Sequence, residues 1–192
     1  MGRPRAIAEK PEGLRYRPDF VSEDEERSLL GFLAALEFRE VVMRGQVARR
    51  TVRHFGWDYG YESWALVPAE PLPDALRWLR DRSAELAEIE PHALSQTLVS
   101  RYPPGAGIGW HRDAPMFGGT IVGVSLGTPA RMRFQRTVQG TRRTWELPLE
   151  PRSAYVLAGA ARSAWQHSIP AGGELRHSIT FRTVRNPQRW SG

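Results

Sequence analysis

Three side chains of this sequence are suited to hold one metal ion: His111 and Asp113, two positions apart, and His167. Two imidazoles and one carboxylate can occupy one face of a ferrous ion and leave the opposite positions open, the donor set of non-haem Fe(II) oxygenases. Downstream runs Arg176-His-Ser-Ile-Thr-Phe-Arg182. Read as a strand, it puts Arg176, Ser178, Thr180 and Arg182 on one face, and Leu175, His177, Ile179 and Phe181 on the other. The polar face carries two guanidiniums, two hydroxyls and no carboxylate. An arginine fork matches a carboxylate bidentately, whereas lysine offers a point charge. The two arginines lie about 20 Å apart along an extended strand, so they cannot grip one carboxylate but can flank a short diacid from both ends. Triad and clamp together imply an oxygenase with a small dianionic co-substrate.

The elements must bring these groups together. In an extended segment residues i and i+2 face the same way, so His111 and Asp113 can reach one ion while Arg112 points elsewhere. His167 lies near the start of another predicted strand and supplies the third ligand. An H-x-D pair alone arises often by chance, so the weight rests on the combination. His54, His92 and His177 are read as structural, and His177 should face away from Arg176.

Ser22-Glu-Asp-Glu25 has the form of a capping box, and Leu29, Leu30, Leu33 and Leu36 follow at helical spacing. A second helix is predicted from Pro73 to about Ile89, with Leu76, Leu79, Leu86 and Ile89 on one stripe. Between them, Val41–Trp64 is rich in arginine and aromatics, with Gly45, Gly56 and Gly60, and reads as hairpins and loops. From Leu94 onward the period becomes two. Ala130–Phe134, Thr144–Leu147, Ser153–Leu157 and Leu175–Thr183 read as strands, punctuated by Gly and Pro. The pattern predicts an α+β protein with a double-sheet β-roll of the jelly-roll kind behind two N-terminal helices.

At 192 residues the chain suits one domain, residues 1–192, with Met1–Gly13 as a loose basic arm. Cysteine is absent, which excludes disulfides and thiolate metal sites and leaves His, Asp and Glu as ligands. No apolar run approaches spanning length, and Met1–Lys10 lacks the hydrophobic stretch of a signal peptide. A cytoplasmic monomer without membrane contact is expected. The net charge of +6 suits an anionic partner, nucleic acid above all. Yet 26 of the 27 basic residues are arginine and only Lys10 is lysine, a bias that genomic base composition also produces, so charge alone does not decide the partner.

From about Leu98 to Arg182 the sequence resembles the AlkB family of Fe(II)- and 2-oxoglutarate-dependent dioxygenases. The resemblance rests on Arg101-Tyr-Pro-Pro-Gly105, His111-Arg-Asp113, Val124-Ser-Leu-Gly127, Met132-Arg-Phe134, Gly159, Arg162, His167 and Arg176–Arg182. It implies a double-stranded β-helix with Fe(II), 2-oxoglutarate and O2. Its ligands would be His111, Asp113 and His167, which are also the catalytic residues because no protein acid or base is required. It further implies that Arg176, helped by the Tyr102 hydroxyl, takes the distal carboxylate of 2-oxoglutarate, that Arg182 sits near the metal end, and that Ser178 and Thr180 line the same pocket. Ser100 and Ser178 stand where the family often carries asparagine, and Ala114-Pro115 lacks the acidic residue of the best-known bacterial repair enzymes. The implied reaction is oxidative demethylation of alkylated bases in DNA or RNA, releasing formaldehyde, succinate and CO2. Residues 41–64 look like the family's substrate lid, with Phe55, Trp57, Tyr59, Tyr61 and Trp64 to stack a single-stranded or flipped-out base and Arg44, Arg49, Arg50 and Arg53 to meet phosphates. Two alternatives stand beside this: the same chemistry on a protein or small molecule, and a member of the fold that binds nucleic acid without turnover.

Overall fold

The computed structural model describes residues 6–43, 46–59 and 66–185. Strands β1 (Ile7–Ala8) and β2 (Leu14–Arg17) precede helix α1 (Glu23–Ala34). Strands β3 (Arg39–Met43), β4 (Gln46–Phe55), β5 (Trp57–Tyr59) and β6 (Leu66–Pro68) lead to α2 (Asp74–Ala87). The barrel follows as β7 (Gln96–Tyr102), β8 (Ile108–His111), β9 (Phe117–Leu126), β10 (Ala130–Val138), β11 (Thr141–Leu149), β12 (Ser153–Leu157), a short α3 (Gly159–Ser163), β13 (Gln166–Ile169) and β14 (Arg176–Val184).

Seven strands pair in the order β2-β12-β9-β14-β7-β4-β3, five in the order β1-β11-β10-β13-β8, and β5 and β6 form a small hairpin sheet. Alternation along β14 explains how the layers stack. Ile179 and Phe181 join Val99, Val124 and Ala154 against Leu29 and Leu33 of α1 and Leu76 and Leu79 of α2. Ser178, Thr180 and Arg182 point instead into a cavity between the two sheets. On that inner side Ile121, Tyr155 and Leu157 of the larger sheet meet Met132, Phe134 and Leu149 of the smaller one. Leu33, Leu76 and Leu79 are fully buried, each contributing about 1.5–3 kcal/mol of apolar burial. The two helices thus hold the larger sheet from outside, and the inner face is left for chemistry. This is the double-stranded β-helix the sequence pattern implied.

Local signals account for the helix ends. Ser22 accepts from the Glu25 amide and the Glu25 carboxylate accepts from the Ser22 amide, so the predicted capping box is made on both sides. Pro73 caps α2 from outside the first turn, and Glu88 closes it in the left-handed conformation (φ 58°), one residue short of the predicted end.

One expectation changes. The N-terminal arm is ordered from Ile7 on: β1 pairs in parallel with β11, and the Glu9 carboxylate sits between Arg136 (2.7 Å) and Arg143 (3.5 Å). The arginines of a neighbouring hairpin anchor it, a contact no local pattern announces. The hairpin expected within 41–64 is present as the antiparallel pair β3 and β4, and β4 also pairs with β7 and so continues the larger sheet. Arg44, Gly45, Gly60, Tyr61 and Trp64 lie outside the described residues.

Candidate metal centre and co-substrate pocket

His111 ends β8 and is the register partner of His167 on β13, so strand pairing sets the two rings side by side, with centroids 4.3 Å apart. Asp113 is not on that strand. It lies two residues past its end, in the loop segment that leads to β9, and its carboxylate lines the same cavity as His111. Arg162 of α3 holds this loop: buried, it donates to the carbonyls of Gly118 (3.0 Å), Ala114 (3.0 Å), Phe117 (2.9 Å) and Asp113 (3.3 Å). One guanidinium therefore fixes the backbone on both sides of the Asp113–Gly118 turn.

His111, Asp113 and His167 each offer one possible ligand atom, and the three atoms lie within 4.8 Å of one another. Bonds of about 2 Å would draw such a set onto one ion with small side-chain adjustments. His111 Nδ1 is 2.8 Å from the Gly109 carbonyl. A carbonyl only accepts, so Nδ1 carries the proton and Nε2 keeps its lone pair for a metal. His167 Nε2 lies 3.5 Å from Asp113 Oδ2.

Electrostatics prepare the same state. Burial, then the neighbouring His111, lowers His167 to about 4 against the opposing pull of Asp113, and burial likewise lowers His111. Burial alone would raise the Asp113 carboxyl, but the positive groups of Arg182, His167, His111 and Arg162 leave it well below the usual carboxylate range. Neutral imidazoles and an ionised carboxylate are the forms that bind a divalent cation.

Register along β14 and β7 builds the co-substrate end. Arg176 faces Tyr102, Ser178 faces Ser100, Thr180 faces Leu98 and Arg182 faces Gln96. Arg176 is buried, donates from Nε to Ser125 Oγ at 3.1 Å and lies over the Tyr102 ring at 5.1 Å. Its Nη1 is buried without a hydrogen-bond partner, a donor placed for a carboxylate. At the other end Arg182 Nη2 lies 3.0 Å from Asp113 Oδ1, and its Nη1 donates to Gln96 Oε1 at 3.2 Å. One arginine thus lies beside Asp113 and the other near the opposite end of β14, a spacing that would fit a short diacid between them.

A cavity of about 710 Å³ covers the triad, walled among others by Tyr59, Trp110, Phe117, Tyr155 and Arg50. Arg176 lines a neighbouring cavity of about 470 Å³ that shares Tyr102 and Ile169 with the first. Tyr102 and Ile169 therefore stand at the partition, with Arg176 on the side away from the triad.

The lid residues are less well matched. Arg53 is paired with Glu70 at 2.7 Å and lies over the core residue Phe55, so the expected phosphate contact is already satisfied within the protein. Tyr59 is buried edge-on against Phe117 and presents only part of its ring to the cavity. Trp57 is half-buried beside it. Tyr61 lies outside the described residues.

Sequence reasoning left three site residues without a role. Arg162 acts through backbone carbonyls, which carry no sequence signal. Tyr155 reaches the cavity because it faces Gly123, where a Cβ would collide with its ring. His54, read as structural, is buried, and its Nδ1 is 3.2 Å from Gln96 Nε2. Through Gln96 it reaches Arg182, and burial lowers it to about 4 against the pull of Asp58.

Residues 13–183 match the 2OG-Fe(II) oxygenase superfamily. The chain is 31% identical over 178 residues to the tRNA (carboxymethyluridine(34)-5-O)-methyltransferase ALKBH8 of Macaca fascicularis, covering 87% of this chain and 25% of that protein, so it spans a quarter of that relative's length. It is 29% identical over 170 residues to the alpha-ketoglutarate-dependent dioxygenase AlkB of Escherichia coli (strain K12), 76% of each. Among solved structures, a Pseudomonas putida prolyl-4-hydroxylase superposes with a TM-score of 0.63 at 15% identity, over 90% of this chain and 93% of that one. At that identity the likeness speaks for the fold alone.

Proposed function

This chain belongs to the 2OG-Fe(II) oxygenase superfamily as an AlkB-like dioxygenase, and from that premise we propose that it oxidatively demethylates alkylated bases in single-stranded or locally opened nucleic acid, acting as one domain. The observation that carries the reading is the lining of the larger cavity. Flat aromatic walls (Tyr59, Trp110, Phe117) and two further arginines (Arg50, Arg112) surround the triad, and Asp113 is the one carboxylate among the described lining residues. A planar heterocycle on an anionic backbone suits such walls. The bacterial AlkB relative supports the reaction class and the tRNA enzyme supports a nucleic-acid context.

In this reading His111, Asp113 and His167 hold the iron. Bound Fe(II) with 2-oxoglutarate and O2 supplies an oxidation that turns an N-methyl group into formaldehyde while the co-substrate becomes succinate and CO2. Arg182 keeps Asp113 ionised and aimed. Arg176 takes the distal carboxylate with help from the Tyr102 hydroxyl, and Ser178 and Thr180 line the channel between. The aromatic walls exclude water from the reacting centre. A base within a duplex would have to leave the stack to enter.

The same chemistry on a peptide is the second reading, favoured by the pairing of Arg53 with Glu70, which removes an expected phosphate contact, and by the burial of Tyr59, which limits stacking on its ring. Formaldehyde release from N-methylated single-stranded oligonucleotides, run beside N-methylated peptides, separates the two. Release from the oligonucleotides supports the proposal. Release from peptides alone overturns it.

A further inference from the structure

The outer face of the five-stranded sheet is a second feature that a nucleic-acid enzyme could use. Residues that point away from the core along β10 alternate with buried Met132 and Phe134, so Arg131, Arg133 and Gln135 look outward. Their register partners carry the same face across the sheet: Arg133 faces Glu146 on β11 and Ser168 on β13, and Gln135 faces Thr144 and Gln166. On the edge strand β8, Trp110 is 37% exposed and lines the mouth of the metal cavity.

These side chains form a connected surface. Arg133 reaches across Ser168, donating to its hydroxyl at 3.2 Å, and its guanidinium lies 5.1 Å from the centre of the Trp110 ring. Arg142 donates to Gln135 Oε1 at 2.5 Å, and Gln135 Nε2 donates to Gln166 Oε1 at 3.1 Å. From β11 to β8 is three interstrand spacings, about 14 Å. Across that span the face offers Arg131, Arg133 and Arg142 against one acid, Glu146, which pairs with Arg131 at 3.3 Å. Arg133 and Arg142 are held by the neutral side chains of Ser168 and Gln135, whereas Arg53 in the 41–64 segment is tied to the Glu70 carboxylate.

We propose that this face is a platform for the single-stranded nucleic acid that flanks the reacting base, with a base stacked on Trp110 at the cavity mouth and the phosphates following Arg133, Arg131 and Arg142 away from it. Charge complementarity and a guanidinium-backed indole at the lip select this occupant. An exposed indole stacks any unpaired base and a flat row of arginines tracks a backbone, whereas a duplex offers no free base face. The inference rests on the nucleic-acid reading of the metal centre and adds the path of the strand outside it.

The test uses the full chain, wild type beside Trp110→Ala, the double variant Arg131→Gln/Arg142→Gln and the lid variant Arg53→Gln. The probe is a fluorescein-labelled unmethylated single-stranded oligonucleotide titrated over a range of salt, and formaldehyde release is followed from both a methylated oligonucleotide and a methylated mononucleoside too small to reach the face. Loss of two phosphate contacts should flatten the slope of log affinity against log salt by about 1.4 in the double variant. Trp110→Ala should weaken binding roughly five- to a hundredfold. Arg53→Gln should leave the slope unchanged, and the double variant should process the mononucleoside like the wild type. An unchanged slope and affinity in the sheet variants, with methylated oligonucleotide still processed, would overturn the platform while the proposed function stands. Equal loss on oligonucleotide and mononucleoside would overturn it as well, since the residues would then act through folding. A wild type that binds acidic peptide but neither binds nor processes any oligonucleotide would overturn the nucleic-acid reading itself.

Discussion

Replacing Arg176 by lysine tests the co-substrate clamp at the atom level. Arg176 is 4% exposed, its Nε is committed to Ser125, its guanidinium lies over Tyr102, and its Nη1 is buried and unpartnered. Lysine preserves the positive charge but removes the planar fork, so the substitution separates geometry from net charge. Losing one hydrogen bond to a charged group costs about 1.5–3 kcal/mol, which at 1.36 kcal/mol per tenfold is roughly a 10- to 150-fold weaker affinity for 2-oxoglutarate. The assay is an anaerobic titration of 2-oxoglutarate into metal-loaded protein, followed by tryptophan fluorescence or heat, with thermal unfolding as the control for folding. Arg182→Lys should act differently, lowering turnover and metal affinity through its contact with Asp113. Unaltered 2-oxoglutarate affinity in a folded Arg176→Lys protein would mean that the distal carboxylate is held elsewhere.

His111→Ala or Asp113→Ala should abolish stoichiometric Fe(II) binding in metal analysis while far-UV circular dichroism stays native, because the apolar cluster between the larger sheet and the two helices includes no member of the triad; retained iron would refute the ligand assignment. Arg162→Met strips a donor from four buried or half-buried carbonyls, of which Ala114 keeps the Phe117 amide. At about 1–3 kcal/mol for each buried acceptor left unpaired, urea unfolding should lose at least about 3 kcal/mol, and iron affinity should fall with the loop; near-wild-type stability would contradict that role. The metal-free protein should lose stability as pH falls from about 6.5 toward 4. His54 and His167 titrate in the folded state near 4, so below about 6.5 the unfolded chain binds protons that the folded one refuses. His54→Asn should make that pH dependence shallower, and an identical profile would show that His54 does not contribute to it.

Much of this was legible because it is encoded locally. Ser22 and Glu25 announce the start of α1 in four residues, and Leu76 and Leu79 announce the buried face of α2. The alternation of Arg176, Ser178, Thr180 and Arg182 sorts the cavity side of β14 from the helix side without any knowledge of the partner strands. His111 and His167 could be paired from their residue types and family resemblance, and the sheet then makes them register neighbours. What escaped depends on which distant surfaces meet. The loop position of Asp113 follows from Arg162, 49 residues away, and the ordering of Ile7 and Glu9 follows from arginines on β10 and β11. Arg53 and Tyr59 read as ligand contacts because arginine and tyrosine serve either purpose; Glu70 and Phe117 decide the matter, and neither is near in sequence.

The most direct measurement of the central claim is the product balance with a methylated single-stranded oligonucleotide, read by mass spectrometry of the strand beside succinate and formaldehyde. The account predicts one succinate and one formaldehyde for each methyl group lost, all abolished in Asp113→Ala. Succinate formed at the same rate with and without the oligonucleotide, and a strand that keeps its methyl group, would contradict it.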